Sequence, residues 1–515
     1  MHKTFSYCKK STNSQADYRR TGCQPGLRFA EADFLNSTES NEKIKERRSP
    51  VDNTVTWSGS WATSQEVEDA VQRTSSSFKS WSRTTLEKRI ELVKKYASFL
   101  QVHRAAIART ITLESGKPLW ESDLEVLSAI AKVDNAIDAI RKRRWTTSEG
   151  AGSPYSAIRF NPLGMIVVLG PYNLPLHLPG AHIVPALLAG NTVLLKPSEK
   201  APAVGDWMLR AWQSTDPPDF ILECIHGAVD QAKWAVAAPE TTGVLFTGSY
   251  AAGKQLHHQL AGRPECLLAL EMGGNNPIVV DRIKSRQAAI AIFIQSAYIT
   301  SGQRCTCARR LIVVNHSENA GFLEELSRSI AKIHVDNPLA ASQPFMGTLV
   351  SNQAAENILL AQEELRANGA TVLNEAKASE VCGAMLTPSL IVLQDQAASD
   401  VEHFGPLVTA TLVEDFDEAI EVANRTKYGL AAGLLSDDPS AYHHFVSQIR
   451  AGIINWNSPT TGASGRLPFG GTGASGNHRP SGYFAADYCS YPVASIENHQ
   501  LNLPGNLPPG LQEIF

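Results

Sequence analysis

Beyond about residue 64 the chain turns periodic. Leu86, Ile90, Val93, Ala97 and Leu100 recur three to four apart, and WESDLEVLSAIAKVDNAIDAIRKR continues in the same style, so a helical region is predicted there. Short apolar runs bounded by Gly or Pro come next: MIVVLG at 165–170, NTVLLKP at 191–197 and GVLFTG at 243–248. The segments between them are long enough for helices. Strand alternating with helix predicts an α/β fold built on a largely parallel, doubly wound sheet. A second series opens with NPIVV at 276–280 and RLIVV at 310–314, and implies another α/β domain. Residues 1 to about 50 mix Ser, Thr, Asn, Lys, Arg and Glu without a sustained apolar period, and are expected to form an extension or a poorly ordered arm.

Length and charge narrow the partners. A chain of 515 residues allows two or three domains with large cores, and 43% hydrophobic with 19% charged residues is ordinary globular composition. A formal net charge of -4 offers no electrostatic footprint for nucleic acid or a membrane surface, which leaves a small metabolite as the expected partner. No run reaches the roughly 18 to 20 apolar residues that span a bilayer, and the opening MHKTFSYCKKSTNSQ lacks a signal-peptide core, so a cytoplasmic location is expected. The cysteines, at 8, 23, 224, 266, 305, 307, 382 and 489, form no disulfide framework. Reduced thiols follow, at least one of them a candidate for reactivity.

Several stretches carry candidate chemistry. FTGSYAAGK imitates a phosphate-binding loop, but Gln255 stands where such a loop needs Ser or Thr for magnesium. A strand, a turn at Gly248 and Ser249, and a helix start containing Gly253 remain, able to take a pyrophosphate on free backbone N–H groups or to be an ordinary tight turn. Lys196 and Glu199 in LLKPSEK would stand at the carboxyl end of a strand, where such groups reach ribose hydroxyls, or else are solvated surface charges. Glu271 precedes two glycines in LEMGGNNP, a placement that suits a general base acting through water. Asn173 lies between Pro171 and Pro175, so its amide could be held rigidly toward an oxyanion. In SGQRCTCARR, Cys305 and Cys307 lack the partner ligands of a zinc site, and the His pairs 257–258 and 443–444 are adjacent rather than a turn apart, so no metal is expected. Arg304, Arg309 and Arg310 would lower a thiol pKa there. Spacing alone does not choose between the two cysteines, nor between nucleophile and buried structural thiol.

Together LEMGGNNP, SGQRCTCA, GPYNLP, KPSE, FTGS and EHFGP (402–406) resemble the ordered motifs of the NAD(P)-dependent aldehyde dehydrogenase superfamily, from about residue 55 onward. Within it, PFGGTGASGNHRPSGYFAADYC looks most like the branch acting on succinylglutamate semialdehyde, with another semialdehyde such as succinate semialdehyde, or a catalytically silent structural or binding member of the family, as the alternatives. The resemblance implies Cys305 as nucleophile, Asn173 and the Cys305 N–H as oxyanion donors, and Glu271 as the base for thioester hydrolysis. It also implies Lys196 and Glu199 on the adenosine ribose, Ser249 on the pyrophosphate, and Glu402 with Phe404 on the nicotinamide ribose. Glu199 should repel a 2′-phosphate, so NAD is expected, with NADP possible.

The architecture so implied is an aldehyde dehydrogenase-like fold. An extension over 1–50 precedes a Rossmann-like cofactor domain over 51–148 and 164–270. A catalytic α/β domain over 271–470 and a small β oligomerisation flap over 149–163 and 483–500 complete it, with homodimers or homotetramers expected. Two departures, and one neighbouring thiol, bear on it. Residues 1–50 lack the family's N-terminal strand pattern. Leu176 and Gly180 replace an expected glycine and asparagine, and a leucine side chain beside the Asn173 loop could narrow or reshape the aldehyde channel. Cys307 raises the prospect of a strained disulfide with Cys305 that switches catalysis off.

Overall fold

The computed structural model describes residues 44–144, 147–149, 155–394 and 400–514, all within one compact unit, Lys43–Phe515. It begins with an antiparallel hairpin, β1 (Lys45–Arg48) and β2 (Val55–Gly59). This corrects the end of the expected arm. Arg47 donates from Nε to the Lys200 carbonyl at 2.9 Å and from Nη2 to those of Glu114 and Val350 at 2.6 and 3.0 Å, tying β1 into the body. Residues 1–43 lie outside the described residues.

Four helices follow: α1 (Ser64–Trp81), α2 (Leu86–Val102), α3 (Arg104–Ser115) and α4 (Leu119–Arg143). Thr63 and Glu66 cap α1 reciprocally, Thr63 N–H to Glu66 Oε2 at 2.8 Å and Glu66 N–H to Thr63 Oγ1 at 3.2 Å, which explains why the periodic region starts there. The next strands and helices are β3 (Thr147–Glu149), β4 (Tyr155–Pro162), β5 (Met165–Leu169), α5 (His177–Ala189), β6 (Thr192–Lys196), α6 (Pro202–Gln213) and β7 (Leu222–Cys224). Then come α7 (Val229–Ala237), β8 (Thr241–Gly248), α8 (Tyr250–Gln259) and β9 (Leu267–Met272).

Strands β5 to β9 make a parallel sheet in the order β7-β6-β5-β8-β9. Successive side chains of β5 alternate between two cores. Ile166 and Val168 pack with residues of α2, α4 and α5, whereas Met165, Val167 and Leu169 pack with residues of α1, α7 and α8. Burial on both faces is why this strand reads as a continuous apolar run. The order reverses at β5, with β6 on one side and β8 on the other, and that switch opens a crevice at the carboxyl ends of the strands.

The second sheet comprises β10 (Asn276–Val280), β11 (Ala308–Val314), β12 (Thr371–Asn374), β13 (Ser389–Val392), β14 (Leu407–Val413), β15 (Ala431–Leu435) and β16 (Ile453–Trp456). Its order is β12-β13-β14-β11-β10-β15-β16, parallel except for the antiparallel β12–β13 pair. Helix α9 (Arg286–Tyr298) connects β10 to β11. Only Gly273, Gly274 and Asn275 separate β9 from β10, so Glu271 stands where one sheet gives way to the other. A short pair, β17 (Pro468–Phe469) with β18 (Ser481–Gly482), lies near it, and β19 (Ser490–Glu497) pairs with β4, which pairs with β3. Among the described residues no helix is long and apolar enough to cross a membrane.

Candidate active site

Between α9 and β11 the chain makes an unusual turn. Thr300, Ser301 and Gly302 have φ of 57°, 52° and 74°, a run of left-handed backbone that two non-glycine residues enter only when neighbours hold them there. Glu121 on α4 accepts the Thr300 N–H at 3.2 Å and the Thr300 hydroxyl, and Ser301 Oγ donates to the Gly347 carbonyl at 3.1 Å. At Gly302 a Cβ would collide with the Gly405 carbonyl. The turn delivers Cys305 to a half-buried position, while Cys307 is fully buried with its thiol donating to the Ile299 carbonyl.

Structure therefore separates the cysteines that spacing left equivalent. Both are free thiols, and the Cys307 thiol is directed at Ile299. The Cys305 carbonyl accepts from Asn276 Nδ2 at 2.7 Å, and its own N–H donates to no group among the described residues. The expected lowering of the thiol pKa is corrected. Burial pushes the Cys305 thiol up to about 12, Glu402, Glu271 and Cys307 push the same way, and Arg309 alone opposes. The arginines are committed elsewhere: Arg304 to Glu121 at 2.7 Å, Arg309 to the Gly302 and Arg304 carbonyls at 3.0 Å, and Arg310 to the carbonyls of Asn275, Val422 and Ala423.

Asn173 and Glu271 converge on this turn. Asn173 Nδ2 donates to the Gln303 carbonyl at 2.9 Å, and the Asn173 carbonyl accepts from the buried Lys117 ammonium at 2.9 Å. Lys117 also pairs with Glu125, whose other oxygen accepts the N–H groups of Leu176 and His177 at 2.9 and 3.0 Å. Thus α4 fixes both the Asn173 loop and the start of α5. Glu271 is 4% exposed, accepts the Ser481 N–H at 3.0 Å through Oε1, and leaves buried Oε2 unpartnered. Burial raises its carboxyl to about 8, and the Ser481 hydrogen bonds and Lys132 pull the other way.

Leu176 does not narrow a channel. Its side chain is fully buried in the core that joins α2, α4 and α5. Gly180 is buried, yet a Cβ there would meet nothing within 4 Å. That open space lies one turn along α5 from His177.

The cofactor candidates divide into two groups. Lys196, at the carboxyl end of β6, donates to the Pro197 and Gly227 carbonyls at 2.9 and 2.8 Å and keeps one N–H free. Glu199 lines a cavity of about 110 Å³ with Pro197, Ser198 and Gly227. Ser249 caps α8, accepting the Ala252 N–H at 3.3 Å, so the first turn of α8 opens at the carboxyl end of β8 just after Gly248. Gly253 is corrected: it lies inside α8, where a Cβ would overlap Met272 Sδ, and so it permits close packing of helix on sheet rather than facing a ligand. On the other side, Glu402 Oε1 accepts the Gly274 N–H at 3.0 Å and lies 3.5 Å from Arg309 Nη2. Arg309 stands 5.1 Å from the Phe404 ring, and Tyr172, beside Asn173, meets that ring edge-on at 6.1 Å. Lys200 lies 5.2 Å from the Tyr172 ring and so connects the Glu199 loop to the Asn173 loop. A spare ammonium N–H and a carboxylate for hydroxyls, with a helix N-terminus for a pyrophosphate across the switch point, form a donor set that fits a dinucleotide.

Sequence reasoning missed Glu121, Glu125 and Lys132, which lie on the buried stripe of α4 with Val126, Ala129 and Val133. Charges falling at apolar positions of an amphipathic helix were the available signal.

With this fold and a thiol, a buried carboxyl and an amide at one turn, the chain belongs to the aldehyde dehydrogenase family, whose model matches residues 36–492. It is 44% identical over 463 residues to an N-succinylglutamate 5-semialdehyde dehydrogenase of Serratia proteamaculans, covering 90% of this chain and 94% of that relative. The relative of the same name from Hahella chejuensis is also 44% identical, with the same coverage. Among solved structures, an indole-3-acetaldehyde dehydrogenase in complex with NAD+ superposes with a TM-score of 0.84 at 26% identity, covering 88% of this chain and 93% of that one.

Proposed function

We propose that this protein oxidises N-succinylglutamate semialdehyde to N-succinylglutamate with NAD(P), a step of arginine catabolism, and that Cys305, Asn173 and Glu271 carry the chemistry. The observation that carries the reading is the Asn173 amide bonded to Gln303, two residues before Cys305, with Glu271 close enough to bear on the Cys305 thiol.

Cys305 Sγ gives its proton to solvent, and the thiolate attacks the aldehyde carbon, giving a thiohemiacetal. The oxyanion forms where the second Asn173 amide N–H and the unpartnered Cys305 N–H can donate to it, and these donors are worth more there than to the ground-state carbonyl. NAD(P), when bound, supplies the acceptor for the hydride that leaves this carbon. The acyl group then remains on Cys305 as a thioester. Glu271 takes a proton from the water that attacks it, the carbon–sulfur bond breaks, and the carboxylic acid leaves. Lys196, Glu199 and Ser249 would hold the adenosine ribose and pyrophosphate, and Glu402 with Phe404 the nicotinamide ribose. The Glu199 carboxylate disfavours a 2′-phosphate, so NAD is the preferred form.

The sheet of β19, β4 and β3 exposes Ile158, Tyr491 and Ile496, which supports a subunit contact through the flap, in dimers or tetramers. The domain boundaries stated above from the sequence, apart from the end of the N-terminal arm, are part of the same proposal. The experiment is a panel of semialdehydes assayed with NAD and with NADP by absorbance of the reduced cofactor. Oxidation of N-succinylglutamate semialdehyde at the highest kcat/KM supports the reading, and preference for succinate semialdehyde replaces the substrate while keeping the chemistry. No oxidation of any aldehyde by folded protein overturns it.

A further inference from the structure

Three charged side chains on the buried face of α4 point into the site region, and two are matched. Glu125 takes Lys117 and Glu121 takes Arg304. The third, Lys132, is 7% exposed and has no hydrogen bond or ion pair within contact distance among the described residues. Glu271 is the acidic group that bears on it. A Cβ on Gly465 would stand 3.9 Å from Lys132 Nζ, so the ammonium faces the segment TTGASGR at 460–466, which is mostly small residues. From α5, His177 bears on Lys132 with a buried Nδ1 that has no partner, and one turn on Gly180 borders open space.

An ammonium so largely buried, with no acceptor from the protein, leaves its donors to a ligand or to the little solvent that reaches it. The link to the reactive thiol runs through Glu271, which bears on both Lys132 and Cys305, while His177 stands at the start of α5 just beyond the Asn173 loop. We propose that Lys132 is a specificity-determining residue that binds a carboxylate of the aldehyde substrate, with the aldehyde carbon at Cys305. The proposal rests on the aldehyde-oxidising reading above. In N-succinylglutamate semialdehyde the α-carboxylate stands as far along the chain from the aldehyde as the carboxylate of glutarate semialdehyde does, so the simpler compound probes the same contact. Its neutral counterpart of equal length is pentanal.

The test compares both substrates in wild-type protein and in Lys132→Met and Lys132→Arg, with NAD saturating. The expected result in Lys132→Met is a loss of kcat/KM for glutarate semialdehyde about tenfold or more greater than the loss for pentanal, the excess falling chiefly on KM, with partial recovery in Lys132→Arg; the pentanal loss registers the effect of Lys132 on Glu271. Equal losses on both substrates with a displaced pH profile would show that Lys132 serves Glu271 instead, and overturn the proposal. Unchanged kinetics on both would overturn it too. Should Lys132→Met fail to fold, wild-type protein decides: glutarate must compete with pentanal oxidation while 1,5-pentanediol does not, and no competition by glutarate sinks the proposal. Absence of pentanal and semialdehyde oxidation in wild-type protein would instead count against the enzymatic reading itself.

Discussion

The side-chain amide of Asn173 donates to the main-chain carbonyl of Gln303 at 2.9 Å, and so joins the loop after β5 to the turn that carries Cys305. One N–H of that amide fixes the turn and the other is free for an oxyanion. Asn173→Ala is therefore expected to lower kcat by about 100- to 1,000-fold, the usual cost of removing one oxyanion donor. Steady-state kinetics check it. A loss confined to KM would assign the amide to ground-state binding instead.

Glu271 must be ionised to take a proton from water, and burial holds its carboxyl at about 8. Below that pH most of the protein carries the neutral acid, and the ionised fraction grows as pH rises. The rate of thioester hydrolysis is expected to climb with pH through an apparent pKa near 8 and to level off above it. Glu271→Gln should keep a first-turnover burst of reduced cofactor while turnover falls by about 100- to 10,000-fold. Stopped-flow measurement separates the two phases, and loss of the burst itself would place Glu271 in the acylation step as well.

The thiols should differ sharply toward alkylation. With Cys305 raised to about 12, its thiolate fraction grows roughly tenfold per pH unit across the neutral range, and iodoacetamide labelling should follow. Cys307, fully buried and bonded to Ile299, should stay unlabelled in folded protein. Peptide mass spectrometry reads both sites. A labelling rate that levels off near pH 8 would contradict the burial argument. A Cys305–Cys307 disulfide after mild peroxide would mean that the turn opens in solution.

Much of this site is legible in the chain because its chemistry sits in short contiguous stretches. Asn173 and Cys305 each stand in a turn containing Gly or Pro, and Glu271 ends a strand just before Gly273 and Gly274, so local backbone rules decide much of the geometry. The strands at 165–169, 192–196 and 276–280 are legible because burial on both faces leaves an unbroken apolar run. What is not legible depends on contacts far apart in sequence. Arg304 beside Cys305 reads as an activating charge until Glu121, on another helix, neutralises it. Leu176 reads as a channel residue until the packing of α5 turns it into the core. Gly253 reads as a ligand contact until Met272 fills the space over it. The strand at Lys45–Arg48 is hidden because its residues are charged, and what holds it is hydrogen bonding from Arg47 rather than apolar burial.

Glu121 gives the sharpest test of how the reactive turn is held. It is 1% exposed and joins Thr300 to Arg304 across the left-handed run that precedes Cys305. Glu121→Ala removes the acceptor that keeps Thr300 at positive φ and leaves the Arg304 guanidinium without its carboxylate. The expected destabilisation is about 3 kcal/mol, toward the low end for breaking a buried pair because Arg304 keeps some contact with solvent. Because the turn also sets the Cys305 N–H, kcat should fall in the same variant while KM for NAD stays near the wild-type value. Glu121→Gln retains an acceptor for Thr300 and should recover part of kcat but little of the ion pair's stability. Denaturant unfolding and steady-state kinetics measure the two effects separately. Wild-type kcat in Glu121→Ala, at any stability, would mean that the turn holds its shape without this carboxylate.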